Sequence, residues 1–253
     1  MRVHFVAPAP RFGRTNNRLP IGYQQRSPYY WWWAYLRRNE DYIKTCELGG
    51  RGRFEAIYPD FGDVRDDDFR KWWREDDRGA RLFGERPLKV RFQELESPDQ
   101  WGSEWNKSEV MVIAVPLRVA KRQLKGLFNM LLDNRHTGTR GRPKISKINS
   151  SANYKLAQNY TIRQLDLALT VFDLWKSQSK IPESNRLSLW EIGESVNANP
   201  KAAKLARSEF TDERLTGRNI LGATVSRYLN QAKHMIENAG YGVFPLHTKR
   251  RDE

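Results

Sequence analysis

The stretch Thr224-Val-Ser-Arg-Tyr-Leu-Asn-Gln-Ala-Lys-His-Met-Ile236 decides how this chain reads. Leu221, Val225, Tyr228, Leu229, Ala232, Ile236 and Ala239 recur at the three-and-four spacing of one helix face, so this stripe is expected to pack inward. Gly240 is placed to end the helix. The opposite face opens at Thr224 and carries Arg227, Asn230, Gln231 and His234, side chains that donate hydrogen bonds and reach base edges in a major groove. This is the pattern of the reading helix in a helix-turn-helix domain. A plain helical bundle with a polar outer face would show the same pattern.

Upstream, Ser188-Leu-Trp-Glu191 has the spacing of a capping box, with Leu187 and Ile192 where a hydrophobic staple would sit. A helix is expected from Ser188 to about Asn197, with Leu189, Ile192 and Val196 inward. Asn199-Pro200 reads as the cap and first position of a second helix running through Phe210. A simple helix-turn-helix has a turn of about three or four residues, whereas residues 198–218 lie between the helix at Ser188 and one starting at Asn219. Two arrangements stay open: the short helix is the middle member of a trihelical unit, or residues 188–210 form the motif and the long helix supports it. Gly242-Val-Phe-Pro245 reads as a short wing strand, or as the start of a tail whose Lys249, Arg250 and Arg251 lie on phosphate.

The chain has 44 Lys and Arg against 30 Asp and Glu, a formal net charge of +14. Such a balance favours a polyanionic partner, with nucleic acid the first expectation. The 253 residues allow one large domain or two ordinary ones. Cys46 is the one cysteine, which excludes an intramolecular disulfide and fits a reducing compartment. Neither a signal peptide nor an apolar run long enough to span a bilayer is read, so a cytoplasmic protein without a membrane partner is expected.

Residues 1–26, with three prolines and five arginines, read as an extended basic arm. Residues 27–83 are rich in aromatic side chains. Tyr29-Tyr-Trp-Trp-Trp-Ala-Tyr-Leu36 opens a helix with Pro28 in its first turn, Trp32, Tyr35 and Leu36 inward, and Arg37, Arg38, Asn39 and Glu40 outward. A second aromatic helix, Asp68-Phe-Arg-Lys-Trp-Trp-Arg74, is expected to pack on it. Three adjacent tryptophans cannot all face one side of a helix. Trp31 and Trp33 are therefore the rings expected to be exposed for stacking on bases or docking a phage or host protein.

Several of these segments resemble a group of poorly characterised, Trp-rich proteins of bacterial phages, prophages and integrative elements. The likeness is carried by the aromatic run with Arg37-Arg-Asn39 and Asp41-Tyr42, by Tyr58-Pro-Asp-Phe-Gly-Asp63, and by Phe69-Arg-Lys-Trp-Trp73. It continues in Leu189-Trp-Glu-Ile-Gly193 and Val225-Ser-Arg-Tyr-Leu229. The resemblance implies a transcriptional regulator-like role in a bacterial host cell and carries over no catalytic residue.

The acidic set Asp60, Asp63, Asp66, Asp67, Asp68, Glu75, Asp76 and Asp77 is the one stretch that a metal-dependent nuclease would need. Arg65, Arg70, Arg74 and Arg78 are interspersed with it, so mutual pairing on a solvated surface is expected instead. His4, His136, His234 and His247 are scattered, and Cys46 has no companion at zinc spacing. No metal, cofactor or catalytic set is assigned.

Residues 87–107 read as a connection anchored by Trp101 and Trp105. Val110-Met-Val-Ile-Ala-Val115 reads as a strand paired with Leu88-Lys-Val-Arg-Phe92 or with the chain near Val243, and residues 119–132 as a helix. Residues 134–153 are a basic linker containing Arg140-Gly-Arg-Pro143-Lys144, the core of an AT-hook. Gly141 would lie deep in a narrow A·T minor groove, with Arg140 and Arg142 along its negative potential. Residues 162–175 are apolar on more than one side and are expected to form the central buried helix of the C-terminal domain.

The expected architecture is mainly α with a small β element. It comprises a basic arm (1–26), an aromatic α+β module (27–133), a basic linker (134–153), a helix-turn-helix-like domain (154–247) and a charged tail (248–253). The expected function is non-catalytic binding of double-stranded DNA, regulating or maintaining a mobile element. Arg140, Arg142 and Lys144 would serve the minor groove; Thr224, Arg227, Asn230, Gln231 and His234 the bases; Lys233, Lys249, Arg250 and Arg251 the phosphates. Such readers often work as homodimers on paired half-sites, though no dimer interface is read. The alternative is a scaffolding or capsid-associated protein acting through its aromatic block, and the third reading is a metal-dependent nuclease.

Overall fold

Ser27 and Pro28 open the helix around which the chain is built. In the computed structural model, which describes residues 3–14, 16–85, 95, 97, 111–135 and 150–250, the Ser27 hydroxyl accepts from the Tyr29 N–H at 3.3 Å. Pro28 then takes the first position of α1 (Pro28–Leu36), where a missing N–H costs nothing. Every residue of α1 is buried. A helix apolar on all sides is stable only when enclosed on all sides, and the rest of the fold supplies that enclosure.

Trp32 meets Phe61 of α3 (Tyr58–Phe61), Phe83 of α5 (Arg78–Phe83), Tyr154 and Phe244, with ring centroids 5.2–6.2 Å apart. On the other side, Tyr30 and Trp33 both lie 5.2 Å from Phe69 of α4 (Phe69–Arg74), whose N-cap Asp68 accepts from the Lys71 N–H at 3.1 Å. Trp31 donates its Nε1–H to the Gln25 carbonyl at 2.8 Å. Trp31 and Trp33 are thus 5% and 2% exposed, which corrects the expectation that they form a docking platform. Helix α1 is enclosed on every side, Trp31 by the segment before it and Trp33 by α4.

That N-terminal segment is not a free arm. Phe5 packs on Tyr29 and Trp73, Phe12 on Phe69, and the Glu85 N–H donates to the His4 carbonyl at 2.8 Å. A short antiparallel pair, β1 (Gly13–Arg14) and β2 (Asn17–Arg18), lies within it, and Arg11, Arg14, Arg18 and Arg26 stay exposed.

Helix α2 (Glu40–Glu47) is capped by Asn39, whose side chain accepts from the Tyr42 N–H at 3.0 Å. Asn39 was expected to face outward and is buried instead, because its amide also donates to the Ile236 carbonyl at 3.0 Å. Near it, the Tyr35 hydroxyl donates to the Leu165 carbonyl at 2.8 Å. These two bonds tie α1 to α7 (Ile162–Gln178) and the start of α2 to α10 (Thr211–Ala239), so aromatic and C-terminal elements share one core.

The chain therefore divides differently from the sequence expectation: residues 1–86 with 146–253 form one compact unit, and 87–145 another. Helix α7 buries Leu165, Ala168, Leu169, Val171 and Phe172 but exposes Arg163, Asp166, Thr170 and Asp173. The centre of the first unit is α1. In the second unit, α6 (Lys121–Arg135) buries none of its residues. Residues 111–116 form no strand there, and Met111, Val112 and Val115 are exposed. A lone strand needs a ladder; the expected partner Leu88–Phe92 lies outside the described residues, and Phe244, the neighbour of Val243, bridges Leu156 instead. Among the described residues no helix is long and apolar enough to cross a membrane.

Candidate nucleic-acid interface

Ser188 starts α8 (Leu189–Ser195) through the expected capping box: its backbone N–H donates to the Glu191 carboxylate at 2.7 Å and its hydroxyl at 2.6 Å. These bonds hold the Glu191 carboxyl below the usual carboxylate range. Leu189 faces outward more than expected, whereas Ile192 is buried. Asn197 takes the left-handed conformation, φ +50°, that an Asn tolerates in a turn. Asn199 then caps α9 (Pro200–Ala206), accepting from the Ala202 N–H at 3.2 Å, with Pro200 at the first position.

Helix α9 stops at Ala206, short of Phe210, and α10 starts at Thr211, well before Asn219. The stretch 198–218 is therefore not one long spacer, and α8, α9 and α10 follow one another with short turns at 196–199 and 207–210. Both short helices pack on the long one. Gly217 admits α9, since a Cβ there would lie 2.3 Å from the Ala206 nitrogen and 2.8 Å from the Ala202 carbonyl oxygen.

The inward stripe of α10 is as expected: Leu221, Val225, Leu229, Ala232, Ile236 and Ala239 are buried and Tyr228 is half-buried. On the outer face, Arg227, Asn230, Gln231 and His234 line a shallow groove of about 680 Å³ together with His247, Thr248 and Lys249. Ala223 and Ser226 give it a floor of small side chains. The far wall is held by Asn238, a buried residue whose amide donates to the carbonyls of Leu246 and Thr248, both at 2.8 Å. Phe244 anchors the same segment from below, fully buried against Trp32 and Tyr35. Phe244 and Pro245 are thus buried, with Gly242 and Val243 half-buried before them, and the segment is not an exposed wing.

Among the described residues no carboxylate lines this groove, and α10 carries neither Asp nor Glu between residues 214 and 236. A second concavity, against α9, differs in charge: Lys201, Lys204 and Arg207 share it with Glu194, Glu209 and Glu213, and Arg207 pairs with Glu194 at 2.5 Å. Phe210, 72% exposed, stands at its edge.

Other expected contact residues fall elsewhere. Lys233 points away from the groove, its ammonium 4.3 Å from the centre of the Trp175 ring. The Arg250 guanidinium lies 4.2 Å from the Tyr241 ring centre. Thr224 is half-buried and outside the groove lining. Arg140, Arg142, Lys144 and Arg251 lie outside the described residues. His247 and Thr248 were missed, because their place depends on Asn238, which looks in sequence like any polar residue of a last helical turn.

Several members of the acidic set are paired on the surface. Asp60 meets Arg81 at 2.8 Å and accepts from the Tyr154 hydroxyl at 2.7 Å, Asp63 meets Arg65 at 2.6 Å, and Asp66 meets Lys71 at 2.7 Å. Among the described residues, no three His, Cys, Asp or Glu gather as a metal site. Set against protein-family models, curated proteins and solved structures, the chain finds no match in any of the three.

Proposed function

We propose that the protein binds double-stranded DNA without catalysis, setting the outer face of α10 into a major groove while residues 247–249 meet the adjoining phosphates. One observation carries this reading. Arg227, Asn230, Gln231 and His234 share a groove with His247, Thr248 and Lys249, and no carboxylate of the described residues lines it. Duplex DNA carries about one negative charge per 1.7 Å of axis, so an acid-free, donor-rich face on a chain of net charge +14 suits it. The concavity at α9 suits it less, because its three glutamates would repel phosphate. This favours α10 as the reader and α8 with α9 as its support. The resemblance to proteins of phages and integrative elements adds a regulatory or maintenance role in a mobile element, within the cytoplasm of a bacterial host.

The test is selection from a random duplex pool at two salt concentrations, followed by sequencing of the retained fraction. An enriched motif that persists at the higher salt, and is lost when Arg227→Ala and Asn230→Ala are combined, is the expected outcome. Retention that collapses with salt and enriches nothing would reduce the interaction to charge alone.

A further inference from the structure

Because α10 begins at Thr211, Asn219 sits inside the helix and not at its cap. Asn219, Ala223, Ser226 and Asn230 then succeed one another at steps of four, three and four residues, which on a helix is a single line. That line lies opposite the buried stripe through Leu221, Val225 and Ala232. Asn219, Ala223 and Asn230 are exposed, and neither asparagine amide has a hydrogen-bond partner among the described residues.

The chemistry of this line is specific. An asparagine side chain sets a donor beside an acceptor, the complement of the N7 acceptor and N6 amino group of adenine, while a bare methyl such as that of Ala223 meets the C5-methyl of thymine. Ile220 and Thr216, also exposed, add apolar carbon beside the line. At about 1.5 Å per residue the two amides stand roughly 16 Å apart along the helix axis, far enough to meet different base pairs along one major groove.

We infer that Asn219 and Asn230 read adenines toward opposite ends of an A·T-biased major-groove site, with Ala223 against a thymine methyl between them. This rests on the DNA-binding reading above and adds to it a base preference and a specificity residue, Asn219.

Full-length protein is titrated against an A·T-rich duplex and a G·C-rich duplex of equal length. The A·T-rich duplex is also prepared with 7-deazaadenine for adenine, which removes N7, and with uracil for thymine, which removes the methyl. The A·T-rich duplex should bind more tightly, and the 7-deazaadenine form should lose about tenfold in affinity, the worth of one bidentate pair. The uracil form should also bind more weakly. Asn219→Ala and Asn230→Ala should each bind the unmodified duplex about tenfold more weakly and respond less to 7-deazaadenine, with melting unchanged because both side chains are exposed. If all duplexes bind alike at a salt concentration where Arg227→Ala still weakens binding, the adenine assignment falls and the DNA-binding reading stands. If no duplex is retained, both fall.

Discussion

Gly217 and Gly222 lie on the same helix, and the same substitution should act on them in opposite directions. A Cβ at Gly217 would stand 2.3 Å from the Ala206 nitrogen, 2.6 Å from the Leu205 carbonyl carbon and 2.8 Å from the Ala202 oxygen. All three are backbone atoms, so no rotamer change relieves the clash. To recover an ordinary contact of about 3.5 Å, α9 must retreat by roughly 1 Å. That opens the buried seam in which Ala202 and Ala206 pack on Leu221. Overpacking of this kind costs about 1–3 kcal/mol, beyond what the better helix propensity of alanine returns. At Gly222 nothing lies within 4 Å of the added carbon, so Gly222→Ala should stabilise by up to about 1 kcal/mol. Equilibrium urea denaturation, followed by tryptophan fluorescence and far-UV circular dichroism, should show the midpoint falling for Gly217→Ala and rising for Gly222→Ala, with unchanged slopes. If Gly217→Ala proves as stable as the parent protein, the close seat of α9 on α10 described here is wrong.

Further outcomes are expected at three places in the fold. Asn39→Ala removes a helix cap worth about 1 kcal/mol and leaves the Ile236 carbonyl without its buried donor, costing about 1–3 kcal/mol more; urea denaturation measures the loss. Asn39→Asp keeps the cap but faces that carbonyl with a buried carboxylate, whose folded-state pKa is raised, so its deficit should shrink as pH falls toward the usual carboxylate range. Conversely, the Glu191 carboxyl is held low by Ser188. Its contribution is present above the ordinary carboxylate pKa and is lost as pH falls through the folded value, so Ser188→Ala should flatten that part of the stability–pH curve. Lys249→Ala should lower the slope of log affinity against log salt on duplex DNA by about one. Lys233→Ala, whose ammonium sits over Trp175, should leave it unchanged.

The elements that announce themselves in the sequence are those whose signal is local. The α10 stripe, the Ser188–Glu191 box, and Asn199 with Pro200 all depend on residues a turn or two apart, and each forms as spaced. Helix α1 has no such signal, because a run with large apolar side chains at nearly every position has no period from which to choose a face. Its burial is decided by partners outside the run, among them Phe5, Phe69 and Phe244. The start of α10 was missed for a related reason: Thr211-Asp-Glu-Arg-Leu-Thr-Gly217 is polar and ends on glycine, yet that glycine is what admits α9. The outer face of α10 was readable, and the wall that makes it a groove was not. That wall depends on a buried Asn238 and on a phenylalanine set into the opposite end of the molecule's sequence.

The bond from Asn39 to Ile236 closes a loop of 197 residues, and this bears on how the protein comes off the ribosome. At about 5–20 residues per second of synthesis, α1 waits on the order of 10–40 s before the helix that seals it exists. Throughout that interval the N-terminal segment, α3, α4 and α5 can cover part of α1, but the side that α10 and Phe244 close stays open. Long-range closure of this kind slows folding and exposes the nascent chain to aggregation. Nascent chains stalled before α10 should therefore be cut readily within α1 by chymotrypsin, whereas chains released after Phe244 should resist it; equal resistance in both would show that α1 finds shelter without α10.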